Sequence, residues 1–510
     1  MSDVAFRAEA HFSDRIVRCR VSRPPTVGAM LAAAAAANPN GDALVDGAVR
    51  LSHADLARAA AGVAGALAAR GVEPGDRVGL IAGNRWPFVL GLLGILRAGA
   101  IAVPVSIRSS AAETAYALGD SGARMAIADE ALAGLVPEGT PRLLSEELEG
   151  LAAGPGAPEP QRAEEDCAVI LYTSGTTGRP KGAMLTHLNL VHSSFAYIDA
   201  FGLGPADRTV VAVPASHVTG LVAGILTPLA CGGAVVMLEK FEVEAFLTLA
   251  AAERMSFTVM VPAMYNLCLM RANLADHDLS AWRVGSFGGA PMPVATIERM
   301  AEALPGLTLA QAYGSTETAS PATIVPLGAQ AGRPSTVGRP VPHADILVVD
   351  PEGREVPTGE SGEIWIGGPM VVPGYWKMPE KTAESFQAGY WKSGDLGRFD
   401  EGGFLYVHDR IKDMINRGGY KVWSAEVENA LAFHPGVAEA AVIGFPDPVL
   451  GEKTRAIVVS SDPSITAEAL KAHCRSLLAD YKTPDVVEFR SEPLPRNPNG
   501  KVMKQALRSG

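Results

Sequence analysis

The sequence predicts an α/β protein: a large N-terminal domain of doubly wound βα sheets carrying a β-barrel-like subdomain, followed by a small α+β C-terminal domain. Three observations carry that expectation. The chain has 510 residues and 48% hydrophobic content, and single hydrophobic cores stop growing near roughly 250–300 residues, so it should divide. The first 320 residues alternate short Val/Ile-rich runs with amphipathic stretches of helical period, as parallel sheets with crossover helices do. After about residue 340 the texture changes to hairpins with Gly-rich turns.

The elements follow in order. RVGLIAG (77–83), AIAVPVS (100–106), ARMAIAD (123–129), TVVAVP (209–214), AVVML (234–238) and FTVMVP (257–262) read as strands bounded by turn residues. Residues 53–70 read as a helix, with Ser52 as N-cap, a stripe of Leu56, Val63 and Leu67, and Gly71 as the stop. The Pro/Gly/Ala/Glu-rich stretch 152–165 reads as a surface loop and not as a domain linker. DILVVD, GEIWIGG and GRFDEGGFLYVHD then read as antiparallel hairpins, and from Lys412 onward helices and strands mix again. The domains are accordingly placed at 1–411 and 412–510.

A net charge of −11 opposes nucleic-acid binding, which needs clustered Lys and Arg to displace counterions. Any bound polyanion must sit in a local basic site. Cys19, Cys167, Cys231, Cys268 and Cys474 are scattered and show no CxxC or Cys/His metal spacing, so they read as reduced core thiols of a cytoplasmic protein. Asp3, Arg7, Glu9, Asp14 and Arg15 near the start do not resemble a secretory signal. Residues 210–238 contain no ionised side chain and are long enough by count to span a bilayer. Pro214, His217, Pro228 and Gly232-Gly233 interrupt that run, which parses better as strand, buried helix and strand, with no integral membrane association.

The sharpest local signal is DCAVILYTSGTTGRPKG. A short buried strand over 168–171 feeds a loop whose Thr173, Ser174, Thr176 and Thr177 supply hydroxyls. Gly175 and Gly178 let a ligand approach the backbone, and Lys181 adds a point charge: the parts of a polyphosphate cradle. A Walker A loop started at Gly175 would need glycine at 180 and Ser or Thr at 182, where Pro180 and Gly182 stand. GTTGRP also fails the dinucleotide pattern GxGxxG. A solvated Ser/Thr/Gly turn is the bland alternative, but such a turn has no need of a lysine behind a proline.

With that stretch in place, the chain resembles the adenylate-forming superfamily, in its acyl-CoA and aryl-CoA synthetase branch. YTSGTTGRPKG looks like the family's phosphate signature. PASHVTG (214–220), SFGGAPMP (286–293), QAYGSTET (311–318), YWKSGDLG (390–397), HDRIKDMINRGGYKV (408–422) and PRNPNGKVMK (495–504) match its further motifs in order, from about residue 25 to the end.

The resemblance implies an ATP-dependent acid–thiol ligase using ATP, Mg²⁺ and CoA. A carboxylate attacks the α-phosphate to give an acyl-adenylate and pyrophosphate, and a thiol then displaces AMP. Thr173, Ser174, Gly175, Thr176, Thr177 and Lys181 would hold the β- and γ-phosphates. Thr316 would contact the α-phosphate and Glu317 would hold Mg²⁺. Tyr313 would stack on adenine against Gly289, Ala290 and Pro291, while Asp395, assisted by Arg410, would bind the ribose. Lys501 would be the adenylation lysine, although PNGK taken singly reads as an exposed turn. Asp395 alone could equally be a turn residue, and Glu317 a charge placed by the helix dipole.

His217, taken alone, reads as a satisfied core residue; by resemblance it gates the acyl site. No separate base is needed, because the acid is already ionised at pH 7. Because one site cannot hold pyrophosphate-side and thiol-side machinery together, the C-terminal domain is expected to be mobile, with Lys412 as pivot. Arg417, Gly418, Gly419, Tyr420 and Lys421 would line the pantetheine tunnel. Asn416 and Lys421 depart from the plant coumarate ligases, which carry lysine and glutamine there. Arg410, Lys412, Arg417 and Lys421 supply the local basic site.

Val218, Leu221, Phe287 and the small glycines of the acyl region favour an apolar monocarboxylic acid, fatty or aryl. Arg283 would suit a malonate-type dicarboxylate but reads as a strand-edge residue. A stand-alone enzyme loading a carrier protein would share every motif, and retention of Lys181, Glu317, Asp395 and Lys501 argues against a non-catalytic sensor. The expected partners are the acid and CoA, with a homodimer entertained as the assembly.

Overall fold

The computed structural model describes residues 4–173, 179–290, 292–460, 462, 464–496 and 502–508. Two compact units account for the chain. One comprises Met1–Met292, Thr296–Ile346 and Ile366–Trp391; the other comprises Pro293–Ala295, Leu347–Trp365 and Lys392–Gly510.

The first unit is organised by two mostly parallel sheets. In the larger, nine strands run in the order Arg339–Pro340, Ser320–Ile324, Thr308–Ser315, Val284–Phe287, Phe257–Met260, Arg208–Val211, Ala234–Met237, Asp42–Asp46 and Val49–Ser52. The six strands from Thr308–Ser315 to Asp42–Asp46 are parallel, and antiparallel strands close both edges. In the smaller sheet, Arg77–Ile81 lies between Ile101–Pro104 and Met125–Ala128, all parallel. Every Val/Ile-rich run marked as a strand in the sequence is therefore one, because a strand buried on both faces must be apolar throughout.

Local rules hold where they were applied. The helix His53–Ala69 starts at Ser52, whose side chain accepts from the Asp55 amide, and the chain leaves it through Gly71 at φ +79°. The charge-free run resolves as the strand Arg208–Val211, a helix, and the strand Ala234–Met237. That helix is wound as a π-helix over Thr219–Leu226, continuing as an α-helix over Thr227–Ala230. No helix among the described residues is long and apolar enough to cross a membrane. Helices Val243–Ala252, Pro262–Arg271 and Val294–Ala303 contribute Phe246, Tyr265 and Met300 to a core with Val210, Val236, Trp282 and Phe287. All five cysteines are free, and all are at least partly buried.

One element was not foreseen. Phe6–His11 and Arg15–Arg20 form an antiparallel hairpin, although their charged residues mask the strand signal. Arg23 secures it by pairing with Glu9 and Glu164 at 2.7 Å each.

In the second unit, Leu405–Arg410 pairs antiparallel with the Lys392–Phe399 end of its neighbour. A mixed sheet follows, in which Gly451–Ser460 runs antiparallel to Val437–Asp447 and parallel to Val486–Arg490. Helices Ser424–Ala432 and Ala467–Leu477 cover it, burying Val427, Leu431, Leu470 and Cys474 against Val442, Ala456 and Val458.

Candidate functional site

In the first unit the expected site residues gather at the carboxyl ends of neighbouring parallel strands, where open α/β sheets bind ligands. The His217 turn follows Arg208–Val211, Gly288–Ala290 follows Val284–Phe287, and Tyr313 to Glu317 close Thr308–Ser315. Phe287 sits in register with Gln311, which places the glycine turn beside Ala312 and Tyr313. The approach is so close that a Cβ on Gly288 would lie 2.5 Å from the Ala312 carbonyl oxygen. Pro291 lies outside the described residues.

The backbone is strained just past Glu317: Ala319 has φ +48° and Ser320 φ +96°. Both conformations are costly for residues with a Cβ and persist only where the surroundings impose them, a condition common at functional sites. Gly314 is equally constrained, since a Cβ there would lie 1.8 Å from the Ser320 carbonyl oxygen. Thr316 and Glu317 are buried in the resulting turn.

Thr173 and Lys181 stand opposite one another as the last and first residues of antiparallel strands Cys167–Thr173 and Lys181–Thr186, and the Thr173 hydroxyl donates to the Lys181 carbonyl. Ser174, Gly175, Thr176 and Thr177, which follow Thr173 in the chain, lie outside the described residues. Gly182, one of the two departures from a Walker loop, sits in this ladder opposite Tyr172, and a Cβ there would come within 2.8 Å of Ile170. Sheet packing, not phosphate chemistry, sets that position.

Sequence reasoning missed one participant, Tyr375. Lys181 Nζ donates to its hydroxyl at 2.9 Å, and the hydroxyl donates to Glu317 Oε1 at 2.8 Å. The ammonium also lies 4.1 Å from the tyrosine ring centroid. Glu317 Oε2 accepts from Ser315 Oγ at 2.6 Å. Burial pushes the Lys181 ammonium below its usual range, opposed by the Glu317 charge, and pushes the Tyr375 phenol well above its own. A single buried carboxylate with hydroxyl neighbours and a nearby ammonium suits a hard cation brought in by phosphate, because Mg²⁺ commonly takes one or two carboxylates plus phosphate oxygens. The sequence signal for Tyr375 was the PGYW run, which pattern reading had no reason to connect with Glu317.

His217 is half-buried, its backbone held in a turn by bonds to Pro214 and Leu221. Asn84 braces this turn, donating to the Val213 carbonyl and accepting from the Ala215 amide at 2.8 Å each. A Cβ on Gly220 would lie 2.2 Å from the Pro214 carbonyl oxygen. The π-helix begins one residue earlier, and such insertions recur at functional sites. Arg283 pairs with Asp207 at 2.9 Å and donates to the Phe201 carbonyl. It is a strand-edge residue, as expected.

The second unit holds the remaining residues. Asp395, buried, and Arg410 face each other in the ladder, Nε to Oδ1 at 3.3 Å. Lys412 follows two residues on and is exposed. Gly418 and Gly419, at φ +60° and +89°, form the hairpin turn between Ile415–Arg417 and Tyr420–Val422, which needs left-handed backbone at both positions. Arg417 is committed elsewhere, in a two-pronged pair with Asp485 at 2.8 and 3.1 Å. Lys501 lies outside the described residues. Apart from these clusters, Glu9, His11 and Cys19 bring ligand atoms within 4.8 Å of one another, but Arg23 already engages Glu9.

Residues 31–376 match the family model described as AMP-binding enzyme, and residues 426–501 match its AMP-binding enzyme C-terminal domain. A feruloyl-CoA synthase of Amycolatopsis is 38% identical over 476 residues, covering 92% of this chain and 96% of that one. A long-chain-fatty-acid–CoA ligase of Mycobacterium tuberculosis is 33% identical over 498 residues, covering 94% and 98%. Among solved structures, the o-succinylbenzoate CoA synthetase of Bacillus subtilis with its acyl-adenylate intermediate superposes with a TM-score of 0.87 at 30% identity, over 96% of this chain and 99% of that one. The same enzyme with ATP and magnesium ion gives 0.85 at 29%, over 95% and 100%.

Proposed function

The chain belongs to the AMP-binding enzyme family, and on that footing we propose that it activates an apolar monocarboxylic acid with ATP and passes the acyl group to CoA. The observation that carries this reading is the partly buried Lys181–Tyr375–Glu317 chain beside the strained turn after Thr316. A cation suited to phosphate and a carboxylate suited to a metal standing next to each other in one unit support that reading.

The acid's carboxylate oxygen attacks the α-phosphorus of ATP, the bond to the bridging oxygen breaks, and pyrophosphate leaves with that electron pair. Thr173, Ser174, Gly175, Thr176, Thr177 and Lys181 hold the outgoing phosphates, and Thr316 orients the α-phosphate. Glu317 would hold Mg²⁺, which would supply neutralisation of phosphate charge. Gly289, Ala290, Pro291 and Tyr313 enclose the adenine, while Asp395 accepts the ribose hydroxyls and Arg410 steadies its carboxylate. Lys501 balances charge at the α-phosphate and carboxylate. Positioned cations acting where charge develops are the main catalytic device of such a site.

In the second half-reaction the CoA thiol gives up its proton to solvent, its sulfur attacks the acyl carbon, the bond from that carbon to the phosphate oxygen breaks, and AMP leaves with that electron pair. We place the pivot between the halves at Lys412, the boundary of domains 1–411 and 412–510, with Gly418 and Gly419 on the thiol side. His217 closes over the acid for the first half and moves aside for the second. Arg417 is held by Asp485, so its contribution to CoA binding is through the hairpin it braces.

The test is acid-dependent exchange of labelled pyrophosphate into ATP over a panel of fatty, benzoic, cinnamic and malonic acids, followed by thioester formation with free CoA. Exchange with fatty or aryl acids and CoA thioester as product is the expected result. Absence of exchange with every acid sinks the enzyme reading. Exchange without CoA thioester would redirect the acceptor to a carrier-protein thiol.

A further inference from the structure

The segment 372–376 ties together two residues that approach the site from opposite directions. At one end the Val372 amide donates to the Glu317 carbonyl at 2.9 Å; at the other the Trp376 amide donates to the Gly182 carbonyl, next to Lys181, at 2.7 Å. Between these anchors the Met184 amide donates to the Gly374 carbonyl at 3.1 Å, and Tyr375 forms an isolated antiparallel bridge with Ala183. The Tyr375 amide donates to the Thr382 hydroxyl at 3.0 Å, and Phe386 meets its ring edge-on with centroids 5.6 Å apart. The ring therefore has little freedom, and its hydroxyl stands between the Lys181 ammonium and the Glu317 carboxylate.

We propose that Tyr375 is a positioning residue for Mg·ATP: its hydroxyl spaces Lys181 from Glu317, so that neither charge neutralises the other before the nucleotide arrives. The inference rests on the reading of Lys181 as a phosphate ligand and of Glu317 as the metal ligand. Opposite charges this close in a partly buried site attract strongly. Without a fixed polar group between them they would close into a direct pair, which nucleotide and metal would then have to break. The phenol serves both partners at once, accepting from the ammonium and donating to the carboxylate. Both bonds can be exchanged for phosphate and metal oxygen without displacing the phenol, since Thr382 holds the Tyr375 backbone amide and Phe386 packs edge-on against the ring.

Tyr375→Phe removes one oxygen and keeps the ring. Pyrophosphate exchange is measured in the full-length protein with Mg·ATP varied at saturating acid, with acid varied at saturating Mg·ATP, and with Mg²⁺ titrated at fixed ATP, alongside thermal melting. The expected result is a KM for Mg·ATP and a half-saturating Mg²⁺ concentration each raised about 10-fold, with the acid KM within twofold and the melting temperature little changed. Unchanged Mg·ATP and Mg²⁺ dependence overturns the proposal. So does a parallel rise in both KM values with a lower melting temperature, which would mean a structural role only. Glu317→Gln and Lys181→Met separate the two levels of inference. If either leaves exchange intact the underlying site reading fails; if both abolish it while Tyr375→Phe behaves as wild type, the spacer role alone fails.

Discussion

Asp395 and Arg410 occupy directly opposed positions of an antiparallel ladder, with 3.3 Å between Oδ1 and Nε. The pairing orients a buried carboxylate, because the ladder fixes both backbones and the guanidinium sits opposite it. Asp395→Asn preserves the shape and removes the charge-assisted acceptor proposed for a ribose. Each such hydrogen bond contributes about 1.5–3 kcal/mol, so kcat/KM for ATP should fall about 100-fold while the acid dependence is preserved. Steady-state kinetics with each substrate varied in turn checks this; equal losses toward both substrates would contradict a ribose role.

Gly288 and Gly314 are required by packing, not by ligand. A Cβ at either would come within 2.5 Å of a backbone carbonyl oxygen, Ala312 for the first and Ser320 for the second. Gly288→Ala and Gly314→Ala should each cost about 1–3 kcal/mol through forced backbone shifts, seen as a melting temperature lower by several degrees. Gly289→Ala is a milder change: its φ is +77°, and its Cβ would meet nothing nearer than Val261 at 4.0 Å. About 1 kcal/mol of left-handed strain is expected there.

Two buried histidines make stability acid-sensitive. His187 accepts from the Val27 amide and His192 from the Arg20 amide, and burial holds both imidazoles down near pH 4. Their folded-state values lie below the unfolded one near 6.5, so the unfolded chain takes up protons first as pH falls. The stabilisation is present above about pH 6.5 and is lost progressively toward pH 4, about 3 kcal/mol for each group. Melting temperatures between pH 6.5 and 5 should drop in the wild type. The drop should be smaller in His192→Gln, whose amide oxygen can still accept from Arg20; an identical slope would remove His192 from the account.

Two lysines of the C-terminal motif, Lys501 and Lys504, are proposed to have different roles. Lys504 Nζ lies 2.7 Å from Glu428 and donates to Ser424 Oγ at 2.6 Å, while Ser424 in turn donates to Asp409 at 2.7 Å. Burial raises the Glu428 carboxyl in spite of that lysine, so losing the lysine leaves a buried carboxylate unpaired. Lys504→Met should cost about 3 kcal/mol and lower the melting temperature. Lys501→Ala should abolish adenylation and leave melting unchanged. Circular dichroism melts and pyrophosphate exchange on the two variants distinguish the roles, and reversed behaviour would exchange the assignments.

Much of the molecule was legible because local and global demands agree. The parallel strands had to be apolar throughout, the helix after Ser52 carried its own cap and stop, and the motifs came in order. The N-terminal hairpin escaped notice because charged residues interrupt its apolar ones, Arg15 being buried and Ile16 exposed, and because it is held partly by distant ion pairs, Arg23 to Glu164 among them. No periodicity encodes such a pairing.

The sequence by itself determined a polyphosphate cradle, since glycines, hydroxyls and single charges at set spacings are what phosphate binding requires, and the reaction class followed from the ordered motifs by which the chain resembles the adenylate-forming superfamily. It also determined that Gly182 breaks the Walker pattern, but not why. Only the tertiary structure decided that Gly182 is glycine because Ile170 and Tyr172 leave no room for a Cβ. Likewise, Tyr375 joins Lys181 to Glu317 across separations of 194 and 58 residues. Spacing along a chain constrains neighbours within one turn or one loop. A hydroxyl placed between two charges from distant segments is fixed by the packing of the strands that carry them.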